Sequence, residues 1–451
     1  MRLKSYVMAF VVIIGLGACH NVPEEFAASD KYRLVWTDDP TSTVTIAWDQ
    51  TDSISKPVVH YGEKDHGREY WKYEHTQTVT RIRHQYGMNT HFAKLRGLKG
   101  NTSYYFVIKD NRGVSKRSWF KTAPDSPQPF TFIAGGDTKS SGGPLEAGRN
   151  ANRIVAKLRP LFVVFNGDFN TGDGINPERW KTWLRDWHEL TTTRDGRMIP
   201  IVPVHGNHEN GDLANLTYIF DAPYQEDDST KVYYSLSFGG NFFHMILLNS
   251  EIEEGGSQRD WLHDDLKQHQ DYIFKIAAHH KPFFPHTASK PEQRHQYRQW
   301  AYLFYQYGLD LSLDGDSHMN KITYPVKPDS SENAYMGFVR DDENGIMFAG
   351  EGSWGARPRA SDDDKPWTLT SGSFNQVKWI HVLPESEESE AHMKLFTVMA
   401  ADYDENGDLI RYNQDMEPVT EENLFEVPHN IKLHRPNGAK QFVPYPYSAN
   451  N

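Results

Sequence analysis

Six side chains of metal-binding type are spread along the sequence in five short motifs. The motifs are Gly-Gly-Asp, Asn-Gly-Asp, Gly-Asn-His-Glu, His-His-Lys-Pro and Asp-Gly-Asp-Ser-His, and their candidate ligands are Asp137, Asp168, Asn207, His280, Asp316 and His318. Carboxylate, amide and imidazole groups are the hard-to-borderline ligands that divalent and trivalent metal ions take in proteins. One Gly-Asp turn or one histidine would indicate little. All five motifs in this order predict a site for two metal ions.

Short hydrophobic runs must position these ligands. Runs rich in Val, Ile and Phe predict buried strands over residues 130–136, 161–167, 198–204, 242–250 and 272–278. The segment 308–315 alternates apolar and polar residues, which predicts a half-exposed strand. A candidate ligand follows five of these six runs. Because loops at one end of a packed sheet can meet at a single site, ligands that are distant in sequence could bind the same ion.

In these motifs the chain resembles the calcineurin-like metallophosphoesterases, and most closely their purple acid phosphatase-like branch. The family's blocks GD, GDxxY, GNHE, HxP and GHxH correspond here to residues 136–137, 167–171, 206–209, 280–282 and 315–318. The resemblance implies an α/β fold in which an N-terminal β-sandwich precedes a four-layer α/β/β/α domain. It also implies a dinuclear, metal-dependent hydrolase that acts on small phosphate esters.

The resemblance assigns each candidate ligand to one of two Fe, Mn or Zn ions. Asp168 would bridge the ions. The other ligands divide between them, with Asp137 and His318 on the first ion and Asn207, His280 and Asp316 on the second. A metal-bound hydroxide would then attack phosphorus in line.

Further residues are expected to act on the substrate rather than on the metals. By the resemblance, His208 would sit beside the phosphate as a catalytic group. His205, His286 and Arg357 could also contact the phosphate, and the histidines could protonate the leaving oxygen. Glu209 is expected to orient a neighbouring histidine.

The chain departs from the purple enzymes at two positions. Thr171 stands where those enzymes have the tyrosinate that gives them their colour, so we expect this protein not to be purple. Asp316 stands where the family usually has histidine. The number of anionic ligands is therefore unchanged, and the second site is richer in oxygen, which favours Mn or Fe over Zn. His279 is an alternative ligand to His280, although the HxP spacing favours His280.

The N-terminus predicts export. Arg2 and Lys4 precede an apolar run over residues 6–16, which is too short to span a membrane as a helix. The sequence Leu-Gly-Ala-Cys at residues 16–19 resembles a bacterial lipobox, which implies lipidation at Cys19 and an anchor in the outer membrane, facing the periplasm or the cell surface. A plain signal peptide with an incidental cysteine is the alternative. The net charge of −12 argues against a nucleic-acid partner.

Composition and turn signals divide the 451 residues into several segments. We expect a lipoprotein signal peptide over residues 1–19, a linker over 20–30, a β-sandwich over 31–125, a catalytic domain over 128–400 and a C-terminal strand with an irregular tail over 401–451. Seven β-rich segments, one of them at 77–83, predict the sandwich. Residues 95–105 make it resemble a fibronectin type III domain.

Three helices and one loop are predicted in the catalytic domain. Pro177 can open a helix, and Ser257 with Asp260 resembles the capping box of another. Residues 295–307 predict a third, and the Gly-rich loop over 350–355 is expected near the mouth of the site. Two alternatives to the phosphatase or phosphodiesterase remain open at this stage: a nucleotidase, and a catalytically inert surface-binding protein.

Overall fold

The structure, a computed structural model, describes residues 21–52, 56–138, 145–171, 173–404, 406, 408–412 and 430–434. The predicted signal peptide and Cys19 lie outside the described residues, as does most of the predicted tail. Within the described residues, no helix is both long enough and apolar enough to cross a membrane.

Eight strands form the N-terminal β-sandwich. They are β1 Ser29–Val35, β2 Val44–Gln50, β3 Val58–Gly62, β4 His75–Thr78, β5 Arg81–Gln85, β6 Met88–Leu95, β7 Ser103–Lys109 and β8 Ser118–Lys121. One sheet has the order β1-β2-β6-β5 and the other β4-β3-β7-β8. The single strand predicted over 77–83 is wrong, because the chain crosses from one sheet to the other at residues 79–80.

The strands of the α/β domain fall into two large sheets and one hairpin. They are β9 Phe130–Gly135, β10 Phe162–Phe165, β11 Ile201–Pro203, β12 Tyr234–Phe238, β13 Phe243–Leu247, β14 Phe274–Ala278, β15 Leu311–Leu313, β16 Asn320–Thr323, β17 Val326–Pro328, β18 Phe338–Arg340, β19 Met347–Gly350, β20 Thr368–Gly372, β21 Phe374–Leu383, β22 His392–Tyr403, β23 Leu409–Tyr412 and β24 Asn430–His434. The first sheet runs β23-β22-β21-β9-β10-β11 and continues into β1-β2-β6-β5, with β24 beside β22. The second runs β12-β13-β14-β15-β19-β16-β20, and β17 pairs with β18.

The sandwich and the α/β domain therefore share one sheet. Strand β1 runs parallel to β11 with Val35 opposite Ile201, and the amide of Trp36 donates to the carbonyl of Ile201 at 3.1 Å. Strand β1 begins at Ser29, inside the segment predicted as a linker. This continuity ties the sandwich to the strand that precedes Asn207.

The two large sheets pack face to face, with helices on both outer sides. The rings of Phe132 and Phe243 meet between the sheets at 5.8 Å. Five helices lie on the outer faces or in loops: α1 Leu145–Leu158, α2 Pro177–Thr191, α3 Asn215–Phe220, α4 Gly256–Gln268 and α5 Arg294–Gln306. Helices α1 and α2 cover the first sheet, and α4 and α5 pack with Ile246 and Ala277 on the second. The predicted α/β/β/α arrangement is confirmed.

Local signals at the helix ends were only partly right. Pro177 does begin α2, with the side chain of Asn176 accepting hydrogen bonds from two first-turn amides. The capping box predicted at Ser257 is wrong, because α4 begins one residue earlier and has no side-chain cap.

Strand β15 is fully buried rather than half-exposed. Its polar side chain finds an internal partner, since the hydroxyl of Ser312 lies 2.9 Å from His279 Nε2. Polar alternation therefore did not mean exposure here.

The predicted ligands lie at the carboxyl ends of strands. Within the first sheet β9, β10 and β11 are parallel, and within the second β13, β14, β15 and β19 are parallel. The loops that follow β9, β10, β11, β14 and β15 carry the ligands, and they emerge at the same edge of the packed sheets. That edge is where a site should form.

Candidate metal centre

The structure brings the six predicted ligands together, and we call them the ligand cluster. His280 lies at its middle. Its Nε2 atom is 3.1 Å from Asn207 Oδ1, 3.3 Å from Asp168 Oδ1 and 3.7 Å from Asp316 Oδ1. Its Nδ1 atom lies 2.7 Å from the carbonyl of Asn166, which fixes the ring so that Nε2 faces the carboxylates.

Asp137 connects this group to His318. Its Oδ1 atom lies 3.4 Å from His318 Nε2, and both of its oxygens accept from the backbone amide of Asp316 at 3.1 Å. Ligand atoms of Asp137, Asp168 and His280 all lie within 4.8 Å of one another. The six side chains therefore form one continuous group of metal-binding type.

The cluster concentrates negative charge in a buried place. Asp137, Asp168 and Asp316 are at most 3% exposed. In the described part of the chain, the ion-pair partners of Asp137 and Asp168 are histidines alone. Burial would lower the pKa of His280, but the three cluster carboxylates and the nearby Glu251 outweigh it and raise that pKa to about 10. A buried site this negative favours a cation.

Backbone conformation marks the same residues. Asp137, Asp168, Asp316 and His318 have φ angles of +68°, +54°, +68° and +56°. Non-glycine residues rarely adopt the left-handed region, and such strain collects at functional sites. Four of the six cluster residues are thus held in conformations that only the surrounding structure can enforce.

The Gly-rich loop over 350–355 packs against the cluster, and the sequence predicted it near the site. A Cβ atom on Gly352 would overlap Asp137 Oδ2, so only glycine fits there. The amide of Trp354 donates to the carbonyl of Gly136 at 2.7 Å, and that of Ala356 donates to the carbonyl of Asp137 at 2.9 Å. The loop therefore fixes the strand end that carries Asp137.

Glu209 supports the cluster differently from the prediction. Its fully buried carboxylate accepts the amides of Asp168 at 2.9 Å, Phe169 at 3.0 Å and Gly206 at 3.0 Å. It orients backbone, not a histidine. The motif Gly-Asn-His-Glu thus binds its own loop to the loop that carries Asp168.

The side chains of His279 and His280 point in opposite directions, and this decides which of the two faces the cluster. His279 points away from the cluster, with Nε2 at 2.9 Å from Ser312 and Nδ1 at 2.9 Å from the carbonyl of Lys281. Burial lowers its pKa to about 3, so it is neutral. His280 is the residue that faces the carboxylates.

His208 lies at the rim and His205 beneath it. The His208 side chain is 36% exposed, with Nε2 at 3.8 Å from Asp168 Oδ2, while its amide donates to Asp168 Oδ1 at 2.8 Å. His205 is 1% exposed, and burial lowers its pKa to about 4. In the part of the chain that the structure describes, neither of its ring nitrogens has a partner at hydrogen-bonding geometry.

The structure corrects the prediction that His286 binds substrate. It is fully buried, and its Nδ1 and Nε2 atoms lie 2.9 Å from Glu351 Oε1 and 2.8 Å from Thr368 Oγ1. It belongs to a chain of charges behind the cluster, which we call the support network: Asp314, Lys321, Glu351 and His286. Both ring nitrogens are committed there, so His286 has no face left for a substrate.

Arg357 and Arg359 take different positions. Arg357 is exposed, donates to the carbonyl of Asn406 at 3.3 Å and lines an open pocket with Tyr403 and Asp404. Arg359 is the one that reaches the cluster's backbone, since its Nη1 donates to the carbonyl of Asp316 at 2.7 Å. The prediction singled out Arg357, but Arg359 lies closer to the ligands.

The sequence did not predict that Lys290 contacts the cluster. Its ammonium group forms an ion pair with Asp316 Oδ1. The two residues are 26 positions apart. Lys290 lies in a loop without a motif, so no local pattern signals the pairing.

Unpartnered polar atoms surround the cluster. Among the described residues, both side-chain polar atoms of Asn170 and the hydroxyl of Ser317 are buried without a hydrogen bond. Buried polar groups normally have partners. Together with the donor set, these atoms fit a centre that is completed by metal ions and their water.

A second group of metal-binding type, His244, Asp265 and His269, lies elsewhere. Its members satisfy one another: His244 Nε2 is 2.7 Å from Asp265 Oδ2, and His269 Nδ1 is 2.7 Å from the carbonyl of Asp265. The two imidazole rings stack at 3.9 Å, and both nitrogens of His244 already have partners, since its Nδ1 lies 2.8 Å from Ser237 Oγ. We interpret this group as a structural hydrogen-bond network.

Comparison with known protein families agrees with the site. Residues 136–320 match the family described as calcineurin-like phosphoesterase, and residues 29–122 match the N-terminal domain of purple acid phosphatase. The chain carries a calcineurin-like phosphoesterase domain. The matched residues run from Gly136 to Asn320 and so contain the whole ligand cluster.

Relatives of this phosphoesterase domain are distant. An uncharacterised protein of Mycobacterium tuberculosis is 23% identical over 326 residues, covering 64% of this chain and 60% of that protein. Purple acid phosphatase 15 of Arabidopsis thaliana is 25% identical over 268 residues, covering 51% of this chain and 48% of that protein. The chain thus spans less than two thirds of the length of these relatives.

A solved structure shares the fold. Purple acid phosphatase PPD1 from yellow lupin superposes with a TM-score of 0.66 at 14% identity, covering 83% of this chain and 72% of that one. The likeness extends over the sandwich and the phosphoesterase domain together.

Proposed function

We propose that the protein is a dinuclear metal-dependent phosphoester hydrolase, a phosphatase or phosphodiesterase. The observation that carries the proposal is the convergence of three carboxylates, two histidines and one asparagine at the carboxyl ends of two packed sheets. Membership of the domain in the calcineurin-like phosphoesterase family supports it. The retained, strained and buried ligands speak against an inert surface-binding protein.

The ligand positions support two ions. Asp137 and His318 would hold the first and Asn207, His280 and Asp316 the second. Asp168, with a ligand atom within 4.8 Å of those of Asp137 and His280, would serve both. Bound Fe, Mn or Zn ions would supply Lewis acidity and water of lowered pKa. The oxygen-rich second group favours Mn or Fe.

The chain's own residues position the reaction. Glu209 accepts two amides of the Asp168 loop and one of its own loop, which fixes the backbone that carries the Asp168 carboxylate. His208, whose side chain is 36% exposed at the rim, would donate a hydrogen bond to a phosphate oxygen or a proton to the leaving oxygen. The buried sheet ends close the opposite side against solvent.

The test combines metal content with a substrate panel. The purified chain is stripped with a chelator, reloaded with Mn, Fe or Zn, and assayed on an aryl phosphate, a bis-aryl phosphate and a nucleotide. We expect two bound ions per chain and chelator-sensitive hydrolysis of at least one ester. A chain that is active with fewer than about half an equivalent of metal would overturn the dinuclear proposal.

We also propose that the protein is exported and anchored by lipid at Cys19, on the strength of the Leu-Gly-Ala-Cys sequence after a short apolar run. Its substrates would then be organic phosphate esters outside the cytoplasm. The test is fractionation of Cys19→Ala cells beside wild type. Identical processing and membrane association of the variant would remove the proposal.

A further inference from the structure

One carboxylate oxygen of Asp316 has two competing neighbours, the ligand cluster and Lys290. Its Oδ1 atom faces the cluster, 3.7 Å from His280 Nε2, and the same atom forms the ion pair with Lys290. The side chains of Asp316 and Lys290 are 5% and 19% exposed, so solvent screens this pair only partly. An ion held by Asp316 through its cluster-facing oxygen would have to displace the ammonium group.

The ammonium group of Lys290 is held by few contacts. In the described part of the chain, its ammonium group has Asp316 as its single hydrogen-bond partner. Lys321 in the support network is the contrast, since it is held between Asp314 Oδ2 at 2.6 Å and Glu351 Oε1 at 3.2 Å and is 2% exposed. A flexible lysine with one partner and partial exposure can swing into water without breaking any contact besides that ion pair.

We propose that Lys290 is an internal competitor for the second metal ion. Its ammonium balances Asp316 until the ion binds and then leaves that oxygen, so that Lys290 sets how tightly the second ion is held. This inference rests on the proposed dinuclear function. No lysine or arginine is ion-paired with Asp137 or Asp168 among the described residues, so the competition applies to one ion only.

The consequence is two classes of metal affinity in one centre. The first ion meets no competing cation. The second must break the ion pair between Lys290 and Asp316, which weakens its binding. The wild-type protein should therefore bind the two ions in separable steps.

The test is a Mn²⁺ titration of the chelator-stripped, full-length protein by calorimetry. In wild type we expect two steps. In Lys290→Met the weaker step should tighten by about 10- to 100-fold while the tighter step stays unchanged. Lys290→Arg keeps the positive charge and should retain two separated steps. Lys290→Gln serves in place of Lys290→Met if that variant does not fold.

A matched control lies in the β-sandwich. Lys94 Nζ pairs with Asp38 Oδ2 at 3.0 Å, and the Lys94 side chain is 19% exposed, as is that of Lys290. Lys94→Met should leave both Mn²⁺ steps unchanged. If wild type binds two ions and Lys290→Met binds both with wild-type affinity, the inference is wrong while the proposed function stands. If wild type binds no metal ion, the proposed function itself fails.

Discussion

Two neighbouring groups of buried charges differ in how they are balanced. In the support network, two carboxylates face two basic groups: Lys321 contacts Asp314 and Glu351, and His286 contacts Glu351. The ligand cluster has three carboxylates against two histidines and one loosely held lysine. With its two histidines neutral, the form in which imidazole binds a metal ion, the cluster keeps three carboxylates against one loosely held lysine, and bound cations would balance that surplus. In the support network, by contrast, Lys321 lies between both carboxylates and serves structure.

The two groups are nonetheless mechanically connected. The amide of Glu351 donates to Asp314 Oδ1 at 2.8 Å, and Glu351 immediately precedes the Gly352 that presses on Asp137. Asp314 lies two residues before Asp316. The balanced network therefore fixes the two loops between which the unbalanced cluster forms, as preorganisation of a metal centre requires.

The largest expected effect comes from removing surplus charge in the cluster. Asp168→Asn keeps the side-chain shape but removes the carboxylate between the two predicted ion positions. We expect activity to fall by two to three orders of magnitude, with loss of bound metal measured by elemental analysis. The metal-free variant should melt no lower than metal-free wild type, because burial and the neighbouring charge of Asp137 raise the pKa of Asp168 and so disfavour its charged form in the metal-free fold. A clear drop in its melting temperature would contradict the comparison.

The opposite result is expected in the support network. Lys321→Met leaves Asp314 and Glu351 buried without their shared cation, which should cost about 3–5 kcal/mol of unfolding free energy with or without metal. Denaturant titration in chelator measures it. Lys72→Met, at an exposed pair with Glu69, is the control and should change stability by less than about 1 kcal/mol. Equal effects of the two variants would contradict the assigned role of Lys321.

A smaller effect is expected at Glu209, which connects ligand loops without touching a metal position. Glu209→Gln preserves size but replaces a carboxylate that accepts three amides. We expect metal affinity to weaken by about 10- to 100-fold with the fold retained. Affinity equal to wild type in a competition titration would show that the Asp168 loop does not depend on this anchor.

The smallest expected effect is a change in the pH dependence of stability, and it concerns the adjacent histidines His279 and His280. Burial lowers the pKa of His279 to about 3, whereas the carboxylates raise that of His280 to about 10. Unfolded chain binds a proton at His279 near pH ~6.5, and the folded protein does not until about pH 3. Stability contributed by neutral His279 is therefore present above pH ~6.5 and lost as the pH falls.

The measurement is unfolding free energy at pH 7 and pH 5 for wild type and His279→Gln. The variant should lose about 2 kcal/mol less than wild type over this interval. Gln keeps a polar group near Ser312, so it controls for loss of that contact at constant pH. Identical pH dependence in the two proteins would show that His279 is not held neutral.

Much of the site could be read from local patterns. Each ligand follows a hydrophobic run, and a buried strand ends where the run ends, so the order of motifs already predicted convergence at one sheet edge. Helix α2 could be predicted because Asn176 and Pro177 act on their own first turn. These features depend on residues that are close in sequence, so the sequence alone predicts them.

The remaining features depend on contacts between distant segments. His279 and His280 follow the same strand, and the positions of Ser312 and Asp168 decide which of them faces the cluster. The role of Glu209 depends on where the Asp168 loop lies, and Lys290 gains meaning only from Asp316. Composition and spacing determined the chemistry and the strand ends. Tertiary structure alone decided which charges are balanced, because that balance is a property of neighbours in space.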